Sequence, residues 1–331
     1  MNTSDFDYIL PAGRIAQMPV EPRDHSRLLV LDRKTGAMTH RRFFELGDCL
    51  RPGDLLIVNE SKVFKARLRC DRGELFLLRA DGPHWLALAK PGRKLKPEMR
   101  IKFSDGMSCR IVEKKQDGTI LVDFGRSPED VLAWTDAVGE VPLPPYIKQS
   151  PATVYCLPST VYQTVYATSI GSVAAPTAGF HFTPELIEKL KMRGIRFATI
   201  TLHVGLGTFR PIKTETLEEH RMHAEWVDVP DAALVAIKET KRHGGRIIAV
   251  GTTTVRALES GVRHGFTNIF ITPGYRFKIV DAIITNFHLP QSTLLVLVSA
   301  FAGRKKILAA YDEAIRDGYR FYSFGDAMFI V

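Results

Sequence analysis

Four turn signals follow one another at short intervals in the first half of the chain: Asp81-Gly82, Pro91-Gly92, Asp105-Gly106 and Asp117-Gly118. An Asp-Gly pair adopts the backbone twist of a two-residue hairpin turn at low cost, so it joins antiparallel strands. The runs around these turns are short and strand-like: Glu74 to Arg79, His84 to Ala89 and Ile120 to Phe124. A chain reversed this often cannot build long helices or parallel crossovers there. A small antiparallel β-barrel or meander is expected over residues 61–139. The prolines of Pro142-Leu143-Pro144-Pro145 mark a stiff exit from it.

The second half has a different rhythm, alternating strand and helix. Thr183-Pro184-Glu185 reads as an N-cap, a proline at the first helical position and an acidic first turn, with a stop at Gly194. A strand-like run covers Ile195 to Val204. A helix capped by Asp231 runs to His243, a buried strand covers Arg246 to Val250, and a helix starts at Thr252. Ile269 to Thr272 and Ile279 to Thr285 read as strands. Helices follow from Gln291-Ser292-Thr293 and from Lys305 to Arg316, and Ala327 to Val331 closes as a strand. This pattern predicts an α/β fold. The expected architecture is a mixed α/β core made of residues 1–60 and 140–331, with residues 61–139 inserted as a basic, β-rich domain.

Charge singles out the same insertion. The chain has 45 Lys+Arg and 36 Asp+Glu, a net +9. Ser61 to Lys115 holds 15 basic and 6 acidic residues, so this segment alone carries 15 − 6 = +9 and the remainder is balanced. A concentrated block of cations suits a phosphate backbone, which binds through charge neutralisation and counterion release. The longest apolar run, Leu294 to Ala302, is too short to span a bilayer. The opening MNTSDFDYIL lacks the pattern of a signal peptide, which leads us to expect a cytoplasmic protein without membrane attachment. Cys49, Cys70, Cys109 and Cys156 are widely spaced, against a disulfide framework or a cysteine-rich zinc site.

Five segments carry candidate chemistry. SVAAPTAGFHFT (172–183) places His181 among small and aromatic residues. In TLHVGLGTFRP (201–211), His203 ends a strand, and Gly205 and Gly207 allow close backbone approach. EEHRMHAEW (218–226) gathers His220, His223 and Glu225. It lacks the i, i+4 histidine pair of a zinc helix, so an acid–base or hydrogen-bonding cluster is expected and no metal. AVGTTTVRALES (249–260) runs from strand through Gly251 into a helix whose first N–H groups and threonines suit an anion. Arg256 and Glu259 there are spaced to pair with each other. In ITNFHLPQST, Asn286 and His288 flank Phe287 at a strand end, where α/β sheets bind ligands. No GxSxG, P-loop or GxGxxG motif is present, against common hydrolase, P-loop and Rossmann readings.

YQTVYA (162–167), GSVAAPTAGFHFT (171–183), TLHVGLGTFRP, VGTTTVRALES (250–260), TNFHLPQSTLLVLVSAFAG (285–303) and FGDAMFI (324–330) closely resemble the S-adenosylmethionine:tRNA ribosyltransferase-isomerase family of queuosine biosynthesis. IAQMPVEPRDHSRLLVLDRKTG (15–36) and LRPGDLLIVNESKV (50–63) resemble it too, so the resemblance spans nearly the whole chain. Departures are mild and include Phe180, Leu206, Thr254, Lys65 and Val161. The resemblance implies transfer and isomerisation of the ribosyl unit of S-adenosylmethionine onto 7-aminomethyl-7-deazaguanine at the tRNA wobble position. The product is epoxyqueuosine tRNA, and adenine and methionine leave. S-adenosylmethionine is then a substrate, with no separate cofactor. The partner is tRNA with a GUN anticodon, and the chain acts as a monomer.

Within that frame, His181, His203, His220, His223 and His288 are the proton-transfer candidates, with Glu225 as orienter or base, because imidazole titrates near neutrality. Thr177, Gly179, Phe180, Phe182, Gly205, Gly207, Gly251, Thr252, Thr253, Arg256, Asn286 and Phe287 are the substrate-binding candidates. Among these, Phe180, Phe182 and Phe287 are either stacking platforms or core, and Thr252, Thr253 and Arg256 suit the methionine carboxylate. Lys62, Lys65, Arg67, Arg93, Lys94 and Lys96 are expected on RNA phosphates. Two rival readings are an S-adenosylmethionine-dependent RNA methyltransferase, which lacks its glycine-rich turn here, and a non-catalytic RNA-binding protein, which leaves the histidines idle.

Overall fold

The computed structural model describes residues 1–144, 146–147, 161–205 and 211–331. Its core is a nine-stranded mixed sheet. The strand order is 264–267, 225–228, 196–202, 55–59, 247–250, 282–286, 327–330, 27–31 and 38–42. Four adjacent strands, 196–202, 55–59, 247–250 and 282–286, are parallel. Three of these, Leu55–Asn59, Ile247–Val250 and Ala282–Asn286, are buried along their whole length. Continuous apolar runs are what a parallel sheet covered on both faces requires.

The two faces pack against different helices. Leu55 and Ile57 join the larger core with the helices Asp231–Arg242, Thr252–Glu259, Thr293–Ala302 and Arg304–Arg316. Leu56 and Val58 face the other way, toward the helix Pro184–Met192 and the 3-10 turn Phe43–Asp48. The strand's period of two thus divides its side chains between two layers. Thr183 caps the Pro184–Met192 helix by accepting from the Leu186 N–H, as its sequence predicts.

The second sheet has six antiparallel strands in the order 67–70, 73–81, 84–90, 120–123, 108–114 and 100–102. Gly82, Gly106 and Gly118 all take positive φ at its tight turns, as the Asp-Gly signals require. The outer strands nearly meet: Asp71 N–H donates to Lys102 O at 2.9 Å, and Lys102 N–H donates to Asp71 Oδ1 at 3.0 Å. The result is a nearly closed barrel around Leu75, Leu77, Ala87, Ile111 and Val122. The chain enters and leaves it side by side, with Arg67 and Glu140 exchanging backbone hydrogen bonds of 3.1 and 2.9 Å.

Several sequence expectations need correction. Residues 61–139 also contain a helix, Pro128–Val138, capped by Ser127. Its Trp134 closes the barrel end against Phe103 and Phe124. Asp231 does not cap its helix; Pro230 holds that position, and Asp231 pairs with Arg263. Ile269 to Thr272 forms no strand. Its Ile269 carbonyl accepts from Arg256 Nε and its Ile269 N–H donates to Thr267 Oγ1, so side chains take the groups a ladder would use. The strand expected from Ile279 starts at Ala282, because Ile279 and Val280 donate their N–H groups to Glu259 Oε1. Glu259 is therefore not the partner of Arg256.

Asp54 ties the sheet together at its lower edge. Its buried carboxylate accepts from Arg51 N–H, Arg246 N–H and the Arg246 guanidinium at 2.6–3.2 Å. Removing one partner of a buried ion pair strands the other. Asp54→Ala is expected to cost about 3 kcal/mol, read as a lower urea midpoint with an unchanged slope.

Candidate functional site

The four parallel strands end level with one another, and each delivers a polar group at its carboxyl end. Leu55–Asn59 leads to Asn59 and Ser61, Arg196–Leu202 to His203, Ile247–Val250 to Gly251, and Ala282–Asn286 to Asn286 and His288. The site therefore sits where open α/β sheets bind ligands. Asn59 joins two of these ends: its side chain exchanges bonds with the Leu202 carbonyl and N–H at 2.9 and 3.0 Å.

Two cavities open here. The first is mostly apolar, walled by Ala175, Thr177, Thr252, Thr253, Asn286, Phe287, His288, Ser292, Tyr146 and Tyr322. Two helices begin on its wall, at Thr252 and, after the Ser292 cap, at Thr293, so their free N–H groups favour an anion. Gly251 precedes the first helix at φ 93°, a conformation that suits glycine. Tyr322 is the surprise: a bulky residue at φ 74°, packed 4.4 Å from the Tyr146 ring. Backbone held so far from its preferred regions clusters at functional sites.

The second cavity, about 850 Å³, lies between the large sheet and the barrel. His203, Gly205, His223, Glu225 and Trp226 form one wall; Leu78, Arg79, Leu86, Asp117 and Thr119 form the other. Val204 belongs to the walls of both cavities, so the two adjoin. Glu225 is buried and held on both oxygens: Oε1 accepts from Gly205 N–H at 2.9 Å, and Oε2 pairs with Arg256. Arg256 is buried too, with 2% of its side chain exposed, and lines neither cavity. Its place is behind Glu225, which it orients.

The histidines divide accordingly. His203 lines the second cavity, with Nδ1 2.8 Å from Ser61 Oγ and its ring lying over Gly171. His223 is exposed on the same wall. His288 lines the first cavity, with Nε2 2.9 Å from Thr285 Oγ1. His220 stands edge-on to Phe270 and lines neither. His181 is one layer back. The Tyr322 carbonyl can only accept, so the Asn286 atom facing it is the NH2 group, which also donates to His181 Nε2 at 3.1 Å. His181 therefore carries its proton on Nδ1 and donates it to Ser26 Oγ at 2.7 Å. The Asn286 carbonyl oxygen accepts from Thr177. Of the five candidates, His203 and His223 thus line the second cavity and His288 the first, while His181 and His220 line neither.

Burial sets their protonation. It pushes His181 down to about 3, with the Arg320 and Arg23 charges adding to the effect. It takes His288 to about 3 and His203 to about 4. At neutral pH all three rings are uncharged. His220 is lowered by burial and by His223 nearby.

Among the aromatic candidates, Phe180 packs on Tyr162 and Phe324, and Phe182 on Phe43, Tyr166 and Phe197. Both are core residues outside the two cavities. Phe287 lines the first cavity but is held by Tyr311, Tyr319 and Phe321. Gly179 gives Tyr166 room: an added Cβ would meet its hydroxyl at 2.0 Å. Gly207 lies outside the described residues. Of the basic candidates, Lys62, Arg93, Lys94 and Lys96 are exposed, while Lys65 pairs with Asp136 and Arg67 with Glu74 and Glu140. Among the described residues no cluster of three or more His, Cys, Asp or Glu is placed to hold a metal ion. No helix there is long and apolar enough to cross a membrane.

Sequence reasoning missed Ser26, Ser61, Tyr146, Tyr322 and the barrel wall of the second cavity. A signal existed for Ser61: the polar Asn59-Glu60-Ser61 directly follows a buried strand. Nothing local marks Tyr322, whose neighbours Phe321 and Ser323 carry no turn signature.

Comparison with known proteins gives one answer. The family model described as "Queuosine biosynthesis protein" matches residues 3–330. The chain is 52% identical to the S-adenosylmethionine:tRNA ribosyltransferase-isomerase of Moorella thermoacetica and 49% identical to that of Thermotoga maritima, each over all of both chains. Its structure resembles the crystal structure of S-adenosylmethionine tRNA ribosyltransferase from Thermotoga maritima, with a TM-score of 0.58 and 39% identity over 99% of this chain and 100% of that one.

The buried imidazoles make stability depend on pH. Both His181 and His288 titrate near 3 when folded and near 6.5 when unfolded. Between those values the unfolded chain binds more protons, so stability is complete above about 6.5 and falls as pH drops toward 3. Each ring contributes about 1.4 kcal/mol per pH unit in that window. His288→Gln is expected to shrink the loss between pH 6.5 and 5 by about 2 kcal/mol. Urea titrations at both pH values check this, and an undiminished loss contradicts it.

Proposed function

The chain belongs to the queuosine biosynthesis family of S-adenosylmethionine:tRNA ribosyltransferase-isomerases, and we propose that its two adjoining cavities divide that reaction between them. Its activity is ribosyl transfer from S-adenosylmethionine to tRNA with isomerisation. The first cavity takes S-adenosylmethionine. Its apolar wall suits the nucleoside and the methylene groups of the methionine chain, and the helix start at Thr252 and Thr253 suits the methionine carboxylate. The second takes the aminomethyl base at the wobble position of a tRNA with a GUN anticodon. The observation that carries this division is Val204, shared by both walls, with His203 and Glu225 next to it on the RNA side.

His203 is the proposed base. The sulfonium acidifies the C5′ proton, and a neutral imidazole accepts it while Nδ1 donates to Ser61. With a value near 4, only roughly one ring in a thousand is protonated at pH 7. The proton that helps adenine leave is therefore the one His203 has just taken. Glu225, aimed by Arg256 and Gly205, receives the acceptor amine, which must shed a proton as its nitrogen bonds to the sugar. Asn286 and Thr177 contact S-adenosylmethionine, and His181 positions Asn286. S-adenosylmethionine is consumed, and no further cofactor is called for.

Residues 61–139 act as the inserted RNA-binding lobe, with Arg93, Lys94 and Lys96 on phosphates. The exposure of these three, with no carboxylate among the described residues paired to them, supports that role. The protein works as a monomer in the cytoplasm, where its tRNA is.

Purified protein with S-adenosylmethionine and a modified anticodon hairpin should release adenine and methionine. S-adenosylhomocysteine instead would indicate methyl transfer, and no turnover an RNA-binding role. Two variants probe the assignments. A Cβ at Gly171 would stand 2.5 Å from His203 Nε2, so Gly171→Ala should displace the ring and slow adenine release roughly hundredfold. Calorimetry should find its S-adenosylmethionine affinity unchanged. Replacing Arg93, Lys94 and Lys96 together by Ala should flatten the plot of log affinity against log salt by about 2 for hairpin binding.

A further inference from the structure

A groove of about 850 Å³ continues from the second cavity to the surface, and its residues are those of an unstacked-base site. His203 and Trp226 belong to both. At the mouth, Arg79 of the barrel lies over the ring of Phe266 of the large sheet, with its guanidinium carbon 4.9 Å from the ring centre. A bulge makes this possible: the pairing register shifts between Leu77 and Arg79, so the barrel strand turns Arg79 out of its alternation. Phe266 lies on the edge strand His264–Thr267, is 48% exposed, and is braced edge-on by Trp226 at 5.2 Å.

Phe266 has Trp226 at its edge and the Arg79 guanidinium over its face, and the rest of its half-exposed ring faces water. The Phe266 ring and the guanidinium have flat faces that stack nucleobases, and the cation also suits the adjoining phosphate. We propose that Arg79 and Phe266 form a stacking platform that receives an unpaired base of the RNA substrate as it passes toward His203. The occupant is a base rather than an apolar peptide, because the groove joins the cavity that holds His203 and Glu225 and because the guanidinium at its mouth, paired at 3.3 Å with Asp81, also covers the Phe266 ring. This rests on the division of cavities proposed above, since it names the entrance to the RNA side.

The test compares two anticodon hairpins, one intact and one abasic at the unpaired loop nucleotide next to the wobble position, by fluorescence anisotropy at fixed salt. The wild-type chain should prefer the intact hairpin by about tenfold, within the range one base stack supplies. Phe266→Ser and Arg79→Met should each bind both hairpins nearly alike, and Phe266→Trp should keep the preference. Phe266→Ser should hold S-adenosylmethionine as tightly as the wild type, which shows that the fold is intact. If the preference survives in both Phe266→Ser and Arg79→Met, the platform is wrong. Adenine release by the wild-type chain is scored separately. Release together with a surviving preference removes the platform and leaves the activity; no release and no preference removes both.

Discussion

Four apolar strands running the same way and stopping at the same level are the constraint on which the site depends. Parallel neighbours bring their carboxyl ends to one edge, so residues far apart in sequence, Asn59, His203, Gly251 and Asn286, become neighbours there. Burial on both faces fixes this level for Leu55–Asn59, Ile247–Val250 and Ala282–Asn286. The polar residue that follows marks where the dry core ends. The binding edge is thus a by-product of how the core is packed, and the chemistry is grafted onto it by the loops.

Buried polar groups then fix the local geometry. Asn286 shows how few alternatives remain: the Tyr322 carbonyl decides which way its amide faces, the amide decides the His181 tautomer, and Thr177 takes the remaining oxygen. Glu225 is held in the same manner by Arg256 and the Gly205 amide. Such networks cost stability unless every member is satisfied; the Asn286 network meets that condition, whereas Arg256 Nη2 is buried without a hydrogen-bond partner among the described residues. They explain why two histidines can sit in the interior uncharged.

Much of the fold was legible from the chain alone. The Asp-Gly turns announced hairpins because only a few residues tolerate positive φ, and Gly82, Gly106 and Gly118 do adopt it. Helix starts at Pro184 and Thr293 followed from local capping chemistry, and the one at Thr252 from the glycine after its strand. What failed was decided at long range. Arg256 looked paired with Glu259 one turn away, yet Glu225 arrives from another strand and Glu259 is claimed by the Tyr275 hydroxyl and the 278–280 backbone. The partners of His181, Ser26 and Asn286, also come from distant segments. The barrel wall of the second cavity gave no signal, because Leu78, Arg79 and Asp117 become relevant only once two separate sheets face each other.

The seam between Asp71 and Lys102 leaves the barrel almost without free edges, so it resists shear within its own sheet. Its tether to the core is the ribbon in which Arg67 and Glu140 clasp one another. A stiff drum on a two-ply stem moves by pivoting as a whole. Widening the cleft for a bulky nucleic acid then means tilting the drum, and every residue on its inner wall would swing by an angle in common.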